Sequence, residues 1–148
     1  MKKLQLLKEQ MSLLRWQTTM MQIDQLLQQA RQDKPSYLDW LLQITQYELE
    51  GKHEKAMERR LKKASLPLQH HLEHFDLSQQ NGVSAQQMNQ LRELLWLDQH
   101  YNLILMGPSG VGKTFIAAGL AYDAIKAGYD ALFRTMQQIL DTIKLKEI

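Results

Sequence analysis

The chain has 148 residues, 44% of them hydrophobic and 23% charged, which is the balance of one ordinary folded domain or two small ones and excludes a disordered tail. With a formal net charge of only +2 no strong electrostatic partner follows from the total, and the lack of cysteine excludes disulfide frameworks and thiolate metal sites. No run approaches the roughly 20 apolar residues of a membrane span, and Lys8, Glu9 and Gln10 break the first apolar stretch too early for a signal peptide, so the chain reads as cytoplasmic.

Residues 2–31 place Leu4, Leu7, Met11, Leu14, Ile23, Leu26 and Leu27 at helical spacing, which predicts one helix interrupted at Lys34-Pro35. Ser36, followed by Asp39, is a good N-cap for a second helix with Leu38, Leu41, Leu42, Thr45 and Leu49 on one face. Gly51 is a weak point in that helix, and Pro67 ends it near Ala64. Its second half is basic. Lys52, Lys55, Arg59, Arg60, Lys62 and Lys63 stand there against only Glu54 and Glu58. Such a patch on a nearly neutral chain is the footprint of a localised anionic partner such as nucleic acid, the alternative being a solvated helix face. Residues 1–64 therefore read as a helical, DNA-binding module.

Residues 65–83, with Pro67, three histidines and Asn81-Gly82, read as a linker with a turn. His70, His71 and His74 have the spacing of metal ligands, but no fourth ligand accompanies them, and a polar linker accounts for them better. Trp16, Trp40 and Trp96 lie in amphipathic segments and read as core anchors. Ser84 and Gln87 form a capping box before a short helix with Met88, Leu91, Leu94 and Leu95. A strand at 102–106, a loop, a helix at 114–127, Gly128 as C-terminal cap and a strand at 131–134 follow. Thr135 and Gln138 cap a last helix bearing Ile139, Leu140 and Ile143. The fold class this predicts is α/β: a helical module (1–64), a linker (65–83) and a truncated P-loop core with parallel strands (84–148).

The loop is Gly107-Pro108-Ser109-Gly110-Val111-Gly112-Lys113-Thr114, a full G-x-x-x-x-G-K-T sequence between an apolar run and a helix. Gly107, Gly110 and Gly112 allow the tight backbone turn that presents N–H groups to phosphate oxygens. The following helix N-terminus adds roughly half a positive charge. Lys113 would reach the β- and γ-phosphates of ATP, and the Thr114 hydroxyl would ligate Mg²⁺. Hydrolysis also requires a carboxylate for magnesium and a group that positions water. The later acids Asp123, Asp130, Asp141 and Glu147 follow no strand-like run, and Asp98 lies before the loop on a helical segment. No catalytic residue is assigned.

From about Arg59 onward the sequence resembles the IstB-like ATPases, helper proteins of bacterial insertion sequences related to DnaC-type helicase loaders within the AAA+ class. The resemblance lies in Arg59-Arg60-Leu61-Lys62-Lys63-Ala64, Pro67, Leu72-Glu73, Phe75-Asp76, the run from Asn102 through the loop, Ala127-Gly128-Tyr129 and Leu132-Phe133. It implies an AAA+ core that assembles as a homo-oligomer on double-stranded DNA with ATP and Mg²⁺ and acts on a transposase. A helicase partner in replication is the first alternative, and a non-enzymatic DNA-binding remnant, including a frameshifted gene product, the second. Phe115 departs from the family's usual histidine. The chain covers little over half of a usual member, so the acidic magnesium-binding strand, the sensor strand and the arginine finger are expected to be missing.

Overall fold

The computed structural model describes residues 2–68, 70–76 and 82–145. Among these, α1 (Lys2–Leu13), α2 (Gln17–Asp33), α3 (Tyr37–Ala64), α4 (Ala85–Arg92), α5 (Leu95–Asp98), α6 (Lys113–Lys126) and α7 (Met136–Lys144) follow in order, with one 3₁₀ turn at Leu72–His74. The chain divides into two compact units, Met1–Ala56 and Met57–Ile148. Asn81 and Glu147 lie outside the described residues.

The expected α/β core is overturned: among the described residues there is no β-strand and no sheet. A strand exists only through the ladder it makes with a neighbour. Residues 102–106 form no backbone hydrogen bond with another described residue. In the second expected strand, the Phe133 N–H bonds the Ala64 carbonyl at the end of α3, at 2.8 Å. Ile104 and Met106, whose apolar character suggested a buried strand, are 77% and 87% exposed. The run has a strand's composition, but pairing is non-local and no described segment supplies it.

Residues 2–31 also fold differently from the single helix their spacing predicts. The chain breaks after Leu13, where Arg15 takes a left-handed φ of 58°. The Trp16 N–H bonds Met11 O at 2.8 Å and the Arg15 N–H bonds Ser12 O at 3.0 Å, the paired bonds of a Schellman ending. An arginine fills the position that glycine usually marks.

Within the first unit the buried face of α3 carries Ile44, Glu48 and Gly51, while Leu38, Leu41, Leu42 and Leu49 are exposed. The apolar face expected to pack is thus not the one that packs. Gly51 explains the choice: a Cβ there would lie 2.3 Å from Thr18 Oγ1 and 2.7 Å from Thr18 Cβ, so only glycine admits α2 this closely. One turn earlier, Glu48 Oε2 accepts from the Thr19 N–H at 2.8 Å and from Thr19 Oγ1 at 2.9 Å. Residue 19 lies in the first turn of α2, whose N-cap Trp16 offers no side-chain acceptor. Glu48 therefore caps α2 from another helix. Replacing Glu48 with alanine leaves two buried donors without an acceptor and is expected to cost roughly 2 kcal/mol, relief of carboxylate burial included. A lowered urea midpoint at unchanged slope would report this, with Glu48→Gln retaining about half. An unaltered midpoint for Glu48→Ala would rule out the cap.

The core of the second unit is built on α6. Leu72, Met88, Ile116 and Leu120 form a buried cluster, with Phe75, Val83, Leu91, Leu105 and Phe115 packed against it. Leu72, inside the expected linker, presses on Gly119 of α6 so closely that a Cβ there would meet Leu72 Cγ at 2.3 Å. Arg92 joins α4 to α6 through Asp123 (2.7 Å) and reaches Glu73 (2.8 Å) in the 3₁₀ turn. Bonding to its own backbone and then to Arg92 holds the Glu73 carboxyl below the usual carboxylate range. The capping boxes at Ser84/Gln87 and Thr135/Gln138 form as expected.

Candidate functional site

The loop that precedes α6 owes its path to glycine at three positions. Gly107, Gly110 and Gly112 have φ of 151°, 85° and 87°, conformations that residues with a Cβ rarely enter. Gly112 is the N-cap of α6 and supplies no side-chain acceptor. The backbone N–H groups of Gly112, Lys113, Thr114 and Phe115 consequently have no partner among the described residues. A helix start left open in this way offers convergent donors and a partial positive charge.

The Lys113 side chain folds back over the loop. Its Nζ donates to Gly107 O at 2.9 Å and to Pro108 O at 2.6 Å, which fixes the ammonium group beside the open N–H groups. Thr114 is exposed on the first turn of α6. A cleft of ≈ 420 Å³ lies here, lined by Pro67, Ser109, Gly110, Gly112, Lys113, Thr114 and Phe115. Gly107, Pro108 and Val111 complete the loop without lining that cleft. Pro67, which read only as a helix stop, turns out to be a wall of the cleft. Nothing in its local sequence could signal this, because the approach depends on how Leu72 and Phe75 pack on α6. Phe115 stacks on Phe75 with ring centroids 5.5 Å apart, which anchors the cleft to that same segment.

The acids weighed for magnesium lie elsewhere. Asp123 binds Arg92, Asp130 pairs with Arg60, Asp141 accepts from Gln137, and Asp98 accepts from the Tyr129 hydroxyl. The histidines form a ring cluster on α6: His70 and His71 each lie 4.8 Å from Tyr122, and His70 Nδ1 donates to Pro67 O at 2.6 Å. Among the described residues, no group of three or more His, Cys, Asp or Glu is arranged to hold a metal ion. No helix among them is long and apolar enough to cross a membrane.

The six basic residues singled out on α3 have different surroundings. In the first unit, Lys52 lies 3.9 Å from Glu48 and Lys55 donates to Thr18 Oγ1 at 3.4 Å. In the second, Arg60 pairs with Asp130 at 3.5 Å. Arg59, Lys62 and Lys63 are exposed and make no ion pair with a described residue.

Residues 9–147 match the family described as IstB-like ATP binding protein. An IS21-like insertion-sequence ATP-binding protein of Bacteroides fragilis is 41% identical over 123 residues, 83% of this chain and 47% of the relative. A second, from Bacteroides fragilis strain YCH46, is 40% identical over 85% of this chain and 63% of its own length. An IS21 insertion-sequence ATP-binding protein of Pseudomonas aeruginosa is 36% identical over 82% of this chain and 46% of its own length. The chain thus spans about half to just under two thirds of these relatives. On this footing, the chain belongs to the IstB-like ATP-binding protein family.

Proposed function

We infer that residues 107–114 bind the triphosphate of ATP for a helper protein of insertion-sequence transposition working in the cytoplasm. The observation that carries this is the row of unpartnered N–H groups at Gly112–Phe115 beside the Lys113 ammonium. Gly107, Pro108, Ser109, Gly110 and Val111 shape the cradle, and Lys113 exchanges its two carbonyl partners for phosphate oxygens. The exposed Thr114 hydroxyl fits a magnesium ligand, with phosphate oxygens and water completing the sphere. Magnesium bound there would neutralise phosphate charge. No carboxylate lines the cleft among the described residues, so we assign binding to this stretch and no catalytic step.

Transposition is preferred to helicase loading because the relatives' names place them in insertion sequences. The partner would then be a transposase, and duplex DNA would be met through the exposed cations of α3. Mg-ATP and inorganic tripolyphosphate are expected to raise the melting temperature, whereas adenosine leaves it unchanged. At 100 times Kd the stabilisation should be about 2.7 kcal/mol. Equal stabilisation by adenosine and ATP would reject phosphate recognition.

A further inference from the structure

The segment after α6 runs against the end of α3 at two places, both inside the second unit. Asp130 pairs with Arg60 at 3.5 Å. One helical turn further, the Phe133 N–H and Arg134 Nη1 both reach the Ala64 carbonyl, at 2.8 Å and 3.5 Å, and Nη1 also donates to Phe133 O at 2.8 Å. This contact changes the membership of the basic patch. Asp130 neutralises one of its arginines, and four residues later the same segment supplies Arg134, which the sequence alone left seventy residues away.

The Arg134 guanidinium is held by one nitrogen only. Nη1 is engaged with carbonyls, while Nε and Nη2 bond no described residue and the side chain is exposed. The Nε/Nη2 edge is one with which arginine takes a phosphate or carboxylate in two parallel bonds. Anchoring at Nη1 orients that edge before any ligand arrives, which lowers the entropy lost on contact. Lys63 is next to Ala64, and Arg59, Lys62 and Lys63 fall within about 100° of one another around α3.

We propose that Arg134 joins Arg59, Lys62 and Lys63 in one surface for the phosphates of duplex DNA, and that Arg60 does not contribute to it. This rests on the DNA reading given above. The rival is a purely structural arginine that caps the carbonyl end of α3.

Binding of the full chain to a labelled duplex of random sequence, measured between 50 and 200 mM KCl, separates the two. Arg134→Gln should lower the salt slope by about 0.9, so that the wild type loses about 3.5-fold more affinity than the variant across that range. Arg59→Gln should do the same, and Arg60→Gln should keep the wild-type slope. Arg134→Lys keeps the charge but not the fork, and should keep the slope with weaker binding. Arg134→Gln at the wild-type slope, Arg60→Gln lowering it equally, or Arg134→Lys sharing the full loss would each overturn the proposal. A wild type that binds no duplex, or binds without salt dependence, rejects the DNA reading itself along with Arg134. An unchanged slope in Arg134→Gln beside a lowered one in Arg59→Gln rejects Arg134 alone.

Discussion

Replacing Lys113 with alanine should weaken ATP binding by roughly 30- to 1,000-fold, the equivalent of about 2–4 kcal/mol. Two things are lost together. The ammonium group supplies charge-assisted hydrogen bonds to phosphate oxygens, each worth about 1.5–3 kcal/mol. It also supplies the full positive charge of the cradle, since the helix start contributes only about half of one. Lys113→Arg should rescue little, because a planar fork does not fit where a compact ammonium sits between Gly107 O and Pro108 O. The nucleotide-free variants should melt within about 1 kcal/mol of wild type, as the bonds lost are to loop carbonyls that water can reach. Titration with a fluorescent ATP analogue reads the affinity. Thr114→Ala isolates the metal: ATP affinity should fall in magnesium and stay unchanged in EDTA. Wild-type affinity in Lys113→Ala would mean that the loop does not hold the triphosphate.

What the sequence made legible was local. Ser84/Gln87 and Thr135/Gln138 satisfy helix ends through groups three residues apart, so their boxes could be read directly and are present. Gly128 likewise closes α6, with φ of 100° and Tyr129 N–H bonding Ala124 O. Endings built on residues other than glycine could be read only where a proline follows, as at Lys34-Pro35 and ahead of Pro67. Arg15 and His100 take left-handed angles at 58° and 60°, and neither residue type announces it. Non-local geometry was hidden for a different reason. Strand composition at 102–106 and 131–134 says nothing about a partner, and neither segment joins a ladder among the described residues. The turn at 107–112 was legible because it is a local, glycine-dependent backbone shape, whereas Pro67 and Arg134 reach their places only through packing against α6 and α3. Charge reading along the sequence also missed pairing across the chain, since Asp130 pairs with Arg60 from seventy residues away.

Gly119→Ala should destabilise the second unit by about 2 kcal/mol, although alanine is the better helix former by about 1 kcal/mol. The added Cβ would stand 2.3 Å from Leu72 Cγ and 2.5 Å from Cδ2, so the whole Leu72 side chain must move. Leu72 is 7% exposed, and driving it from the core forfeits about 1.5–3 kcal/mol of burial beyond the strain. For a chain of this size the melting temperature should fall by roughly 4–8 °C. A double-mutant cycle with Leu72→Ala identifies the contact. Leu72→Ala alone should cost about 2–5 kcal/mol by leaving a cavity, but it also clears the space that a methyl group at position 119 would need. The pair should therefore cost about 1–3 kcal/mol less than the two single changes together. Strict additivity would show that Leu72 and residue 119 do not meet. The same contact bears on the cleft at 107–115, since Leu72 packs close to Phe75, and Phe75 stacks on Phe115. Gly119→Ala should therefore weaken ATP binding several-fold at temperatures where the protein remains folded, and relief by Leu72→Ala should appear in both stability and affinity.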